Sequence, residues 1–336
     1  MEFVQKRNLF LEVDLDHSLP QAHAMLLRDA ADATDEELTV FISLAGISEI
    51  ARDTGWTQMQ RRIAELYAIA AGQALQKERL LTVDVVPLDF CAYTPADMEP
   101  YVRRPTAAIS KAALGAVDVP AVPEWWPLEM RTGISRYDSG LHTDRAIGQL
   151  QCTRTPTPWP SYPHVAVGGT FDHLHVGHKI LLTATALAAT KRVVCGISAD
   201  VMLEKKRYKE QLEPYREREL NVLLFLRKIR KDLIVELAPL LDVYGPTAVD
   251  ASIEALVVSQ ETFEGSKALN VLREEKGFAS MQIMPIDLIA TLSDPGGSQT
   301  SSMHTSVENT TLKISSTAIR AALAEKQQQH RSRPFR

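Results

Sequence analysis

Short apolar runs bounded by turn residues recur along this chain, and helical stripes lie between them. Residues 8–13 (NLFLEV), 38–44 (LTVFISL) and 80–88 (LLTVDVVPL) read as strands, the last with Pro87 near its end. Between the second and third, a helix is predicted from about Thr57 to Gln76. Met59, Ile63, Leu66 and Ile69 fall on one face of it, with Arg61, Arg62 and Glu65 turned away. Further on, 165–167, 192–197, 233–237, 255–258 and 281–286 form five more apolar runs. Helical patterns follow the first run from His178 and the second from near Pro214, a favoured first-turn residue, with Leu220, Leu223, Leu224 and Ile229 marking the latter. Five strands with intervening helices predict an α/β fold with a doubly wound parallel five-stranded sheet and right-handed crossovers. The earlier strands predict a smaller N-terminal α/β domain before it.

The expected boundaries follow from where this pattern lapses. Residues 1–117 form the N-terminal domain, in which no phosphate loop, dinucleotide fingerprint or nucleophile elbow occurs. His17 and Asp14 there read as a solvated loop, and Cys91 as a buried apolar group. From 118 to 163, Pro120, Pro123, Pro127, Pro156, Pro158, Pro160 and Pro163 interleave with Trp125, Trp126 and Trp159. Prolines favour an extended connector and tryptophans favour burial, so this is a linker that packs. Residues 164–325 form the second domain and 326–336 a flexible basic tail. Inside it, 293–311 (SDPGGSQTSSMHTSVENTT) reads as a disordered loop.

Charge and cysteine content narrow the class. A net charge of -5 over 336 residues argues against a general nucleic-acid binder. Three widely spaced cysteines, Cys91, Cys152 and Cys195, give neither a disulfide framework nor metal spacing. No apolar run approaches a membrane span, and no apolar leader opens the chain. The expectation is a cytoplasmic protein without membrane attachment, a nuclear share being left open.

The candidate chemistry is concentrated in HVAVGGTFDHLHVGHKILLT, residues 164–183. An apolar strand runs into Gly168 and Gly169, which turn the backbone with no Cβ in the way of a ligand. The helix that follows offers free N–H groups and a positive dipole end to an anion. At its start, His175 and His178 are three residues apart and share one side of the first turn, with Gly177 between them. Two such donors suit a phosphoryl group in transfer. Alone, H-x-G-H could equally be a pair of surface histidines; G-G-T-F-D just upstream weighs toward a site. A zinc reading of His173, His175 and His178 is weaker, because that spacing is poor on a helix and no cysteine lies near. Lys205, Lys206, Arg207 and Lys209 follow the second strand, where an α/β sheet presents its ligand crevice, although charge runs are usually solvated loops. Ser315 is a plausible N-cap before Ile319 and Arg320, making a second helix start suited to an anion.

GGTFDHLHVGHK resembles the H-x-G-H nucleotidyltransferases, and within them the phosphopantetheine adenylyltransferases of eukaryotic and archaeal type. Further matches are Pro214-Tyr215-Arg216-Glu217-Arg218, LLDVYGP (240–246), VVSQETFEG (257–265) and ISSTAIR (314–320). Gln260 and Phe263 replace the family's commoner Glu and Tyr. The R-T-x-G-I-S-T of cytidylyltransferases and the K-M-S-K-S of class I synthetases are absent. The resemblance covers about residues 164–324. It implies a Rossmann-like nucleotidyltransferase sheet and transfer of AMP from ATP to 4'-phosphopantetheine, giving dephospho-coenzyme A and pyrophosphate. It implies that Thr170 and Lys206, with Lys205 as the near alternative, hold the acceptor phosphate. His175, His178 and Lys206 are then the catalytic residues. Nucleotide binding falls to Gly168, Gly169, Thr170, Phe171, His178, Ser259, Ser315, Ser316, Thr317 and Arg320, while Arg218 matches a family arginine of structural bearing. Mg²⁺ would come with ATP, and no dedicated metal ligands are implied. Two rivals stand beside this reading: another nucleotidyltransferase of the same fold, and a non-catalytic nucleotide-binding protein.

Overall fold

A computed structural model describes residues 4–15, 17–45, 52–77, 81–93, 97–98, 101, 157, 159–286 and 315–331. The expected disordered loop at 293–311 and most of the expected linker, with Cys152, lie outside them. The chain divides into two compact units. The first comprises the described residues up to Pro160 together with Lys228–Asp232; the second takes Ser161–Arg227 and the described residues from Leu233 onward.

In the first unit, β1 (Val4–Asp14), α1 (Gln21–Asp32), β2 (Thr34–Ala45), α2 (Arg52–Gln76) and β3 (Thr82–Pro87) follow one another. The three strands pair in parallel in the order β1-β2-β3. All three predicted strands are present. Helix α1 was not anticipated. Its buried stripe is His23, Leu26, Leu27, Ala30 and Ala31, too rich in small residues to stand out as an apolar periodicity. Cys91 is buried, as expected. His17 sits exposed beside Asp14, at 2.6 Å. Trp159 is buried against Phe90 and Trp56, with ring centroids at 5.1 and 6.5 Å, so this part of the expected linker does pack.

The second unit carries β4 (Tyr162–Gly169), α3 (Val176–Ala188), β5 (Ala189–Ser198), α4 (Tyr215–Ile229, its last two residues counted with the first unit), β6 (Ile234–Leu240), β7 (Ala255–Ser259), α5 (Phe263–Glu275), β8 (Gln282–Ile286) and α6 (Ser316–Arg331). Its five strands are all parallel, in the order β6-β5-β4-β7-β8. This is the predicted doubly wound sheet. Val165, Ala166 and Val167 are all buried, which is why β4 reads as a continuous apolar run rather than an alternating one. On one face Ala166, Val194, Leu256, Val258, Leu269 and Met281 form a core with Ala248 and Ile253. β4 starts at Tyr162, inside the expected linker, and α6 continues to Arg331, beyond the expected domain end at 325. The expected tail is helical there because Ala321, Ala322, Leu323, Glu325, Lys326 and Gln327 are all strong helix formers. Among the described residues, no helix is long and apolar enough to cross a membrane.

Candidate active site

The strand order reverses between β4 and β7, and an open α/β sheet binds ligands at that point, outside the carboxyl ends of its strands. Gly168 and Gly169 end β4 there, Ser198 ends β5 and Ser259 ends β7. The turn after β4 is wound tightly. Phe171 and His173 have φ of 52° and 47°, in the left-handed region that costs a residue with a side chain roughly 1–2 kcal/mol. The surroundings offset that cost. Phe171 is fully buried with its ring 5.3 Å from that of His178. The His173 N–H donates to Glu213 Oε2 at 2.6 Å, and its ring meets the Gln211 carbonyl at 2.7 Å. His173 is thus a brace for the turn.

His175 directly precedes α3 and His178 lies in its first turn. Their rings stack with centroids 3.9 Å apart. The Nδ1 of each is buried without a hydrogen-bond partner. Burial lowers the pKa of His175 to about 4, with His173 and Lys179 adding to the effect and Asp172 opposing it. Burial, then His175, holds His178 well below the usual value. Burial thus favours the neutral form of both imidazoles. Lys179, next along α3, is buried beside the Phe225 ring.

Helix α6 brings the hydroxyl-rich stretch to the same turn. Ser315 caps it, its Oγ accepting from the Ala318 N–H at 3.3 Å. Ser316 Oγ donates to the Asp172 carbonyl at 2.9 Å, across 144 residues of sequence. Arg320 is 2% exposed and pairs with the fully buried Asp172 carboxylate. It also donates to the Arg207 carbonyl at 3.1 Å and to Thr317 Oγ1 at 3.2 Å. Arg218, with no exposed surface, donates to the carbonyls of Thr170, Ser198 and Glu213 and to Asp200. It fastens the ends of β4 and β5 to the start of α4.

The expected residues thus fall into two groups. The turn Gly168–Phe171, His175, His178, Ser316, Thr317 and Arg320 are joined by the rings and bonds just described. Lys205 and Lys206 are exposed on the loop after β5; their neighbour Arg207 is tied to the turn through Arg320, and Gln211 and Glu213 further along the loop meet His173 and Asp172. The Ser259 hydroxyl meets that of Thr262 in its own turn, at 3.2 Å. Sequence reasoning missed Asp172 and Glu213. The signal for Asp172 was a lone acid in a glycine- and histidine-rich turn, but its partner lies 148 residues away. Among the described residues, no group of three or more His, Cys, Asp or Glu could hold a metal ion.

Residues 166–322 match the family described as Cytidylyltransferase-like. A phosphopantetheine adenylyltransferase of Saccharomyces cerevisiae is 37% identical over 200 residues, covering 60% of this chain and 61% of its own length. An uncharacterized protein of Schizosaccharomyces pombe is 43% identical over 160 residues, 48% of each chain. The chain therefore spans about half to three-fifths of these two fungal relatives. The phosphopantetheine adenylyltransferase of Pyrococcus furiosus is 38% identical over 128 residues, 38% of this chain but 79% of that one. With that identity over most of an archaeal enzyme, and with the parallel sheet and histidine pair in place, the chain belongs to the phosphopantetheine adenylyltransferase family.

Proposed function

We propose that this protein transfers AMP from ATP to 4'-phosphopantetheine, giving dephospho-coenzyme A and pyrophosphate, as a cytoplasmic step of coenzyme A synthesis. The carrying observation is the stacked and buried His175–His178 pair at the start of α3, beside the glycine turn that ends β4. In this reaction an oxygen of the acceptor phosphate attacks the α-phosphorus in line, and the bond from that phosphorus to the pyrophosphate oxygen breaks. No covalent intermediate is required, so the protein contributes position and charge. A bare lone pair left unmatched in a dry site costs less than an unmatched N–H, which favours the proton on Nε2 of each histidine. Each then offers one N–H to oxygens on which charge develops.

The hydroxyl trio divides by what the protein already uses. Ser316 gives its proton to Asp172, whereas Ser315 and Thr317 act as acceptors and keep theirs for the β and γ phosphates. Thr170 and Lys206, with Lys205 beside it, are assigned to the acceptor phosphate. Mg²⁺ is read as part of the substrate, carried by the triphosphate. Asp172, the buried acid at the turn, is already paired with Arg320 and so is not free to hold that ion. Pyrophosphate release from ATP and from CTP, each with a panel of phosphorylated acceptors, tests the proposal. It predicts release with ATP and phosphopantetheine. Preference for CTP or for another acceptor would assign the site to a different nucleotidyl transfer, and binding without release to a non-catalytic role.

A further inference from the structure

Asp172 has no exposed surface, and each of its oxygens is occupied. Oδ1 accepts from the Glu213 N–H at 2.9 Å, Oδ2 from Arg320, and the main-chain oxygen from Ser316. Arg320 completes the junction through the Arg207 carbonyl. Three segments therefore meet at one ion pair: the turn after β4, the loop from 199 to 214 that carries Lys205 and Lys206, and the start of α6. Gln327 of α6 adds a second tie to the same loop, meeting Gln211 at 2.9 Å. Arg320 is almost fully buried and its Nε, Nη1 and Nη2 already donate to the Arg207 carbonyl, Asp172 and Thr317, so drawing the side chain out to phosphate would break bonds inside the protein and weaken the pairing of a buried carboxylate. Staying on Asp172 satisfies both groups.

We propose that Asp172 and Arg320 are a positioning pair that makes the ATP-side helix and the acceptor-side lysine loop a single body. This rests on the reaction proposed above, because that reaction assigns the two sides. Its signature is two-sided: damage at Arg320, on the ATP side, also weakens the hold on phosphopantetheine. A guanidinium that only touched phosphate would affect ATP alone. The planar fork meets its three acceptors through three separate nitrogens, whereas a lysine presents all its donors from a single nitrogen and cannot span the same positions.

The test uses the full chain and its Arg320→Lys and Ser316→Ala variants. KM for phosphopantetheine is measured at saturating ATP, and KM for ATP at saturating phosphopantetheine, with melting temperatures alongside. Arg320→Lys should raise both KM values, each by about tenfold, as expected for loss of a hydrogen bond to a charged group. Ser316→Ala, which deletes one neutral hydrogen bond, should raise both by less. A rise in the KM for ATP alone, or in neither, overturns the proposal. If Arg320→Lys melts below the assay temperature, Ser316→Ala decides by the same criterion. Turnover by the parent chain is the separate check on the reaction itself: an inactive parent would refute the reaction, whereas an active parent with one-sided variants would refute only the pair.

Discussion

A neutral imidazole at the start of a helix can stabilise charge that appears only as a phosphoryl group moves, and that is the role expected of His178. Removing an interaction made only in the transition state lowers kcat and kcat/KM together. His178→Ala should therefore lose about 10²–10³ in kcat with little change in the KM for phosphopantetheine. Lys206→Ala should differ, raising that KM, because it removes a ground-state grip. Steady-state kinetics on variants with unchanged melting temperatures check both, and a His178 variant keeping most of its turnover would make the ring structural. The same burial predicts a pH effect on stability. His175 and His178 sit below the usual value of 6.5, His175 at about 4. Between those values the unfolded chain binds protons that the folded chain refuses. Stability is thus fully present above about pH 6.5 and falls as the pH drops toward 4. Urea unfolding between pH 7.5 and 5 should decline more steeply for the parent than for a His175→Gln, His178→Gln double variant. The gap in slope should be at most about 1.4 kcal/mol per pH unit for each histidine. Equal slopes would mean that the rings are not held neutral.

At the scale of elements, the end of β6 controls how closely the sheet packs at the glycine turn. A Cβ on Gly196 of β5 would lie 2.5 and 2.8 Å from Leu240 Cδ2 and Cγ. One on Gly168 of β4 would lie 3.5 Å from Leu240 Cδ1, and one on Gly245, at φ +49°, 2.2 Å from Cδ2. Leu240 thus occupies a seat lined by three glycines. Gly196→Ala should destabilise by about 1–3 kcal/mol, the usual cost of overpacking. The loss should shrink in a Leu240→Ala background, and chemical denaturation of the two singles and the double measures it; simple additivity would show that Leu240 is not the obstacle. The elements themselves were readable in the sequence where one residue type dominated. Val165–Val167 announced β4, and Gly168 to His178 announced the turn and α3, because both signals are local. Helix α1 was not readable because alanines and a buried His23 stand where larger apolar residues would mark a stripe. Neither was the Asp172–Arg320 pair, since only the spatial order of β4, α4 and α6 brings those side chains together. The buried Arg273 is a similar case. It donates to the carbonyls of Thr247, Asp250, Ile253 and Ala279, and its sequence context is an ordinary charged helix end.

At the scale of the molecule, the switch point and every assigned site residue fall in the second unit, as does nearly all of the family match. The first unit has a parallel sheet of its own, so its carboxyl edge is where a second nucleotide would be sought. That edge is acidic. Glu12 and Asp14 lie at the end of β1, and Asp89 follows β3, its pKa raised to about 6 mainly by burial, with Glu12 adding to the effect. At pH 7 such a surface opposes a triphosphate. The 336 residues also contain no G-x-x-x-x-G-K-[ST] phosphate loop. A kinase step on the 3'-hydroxyl of the product would need a second ATP site, to which neither a phosphate-loop motif nor the described carboxyl edge of the first sheet points. The purified chain, given phosphopantetheine and excess ATP, should therefore accumulate dephospho-coenzyme A and pyrophosphate in equal amounts and go no further. Mass spectrometry of the products over time reads this directly. A species heavier by one phosphoryl group, with ADP rising in step, would place a second phosphoryl-transfer site on this chain and make the first unit the region to search.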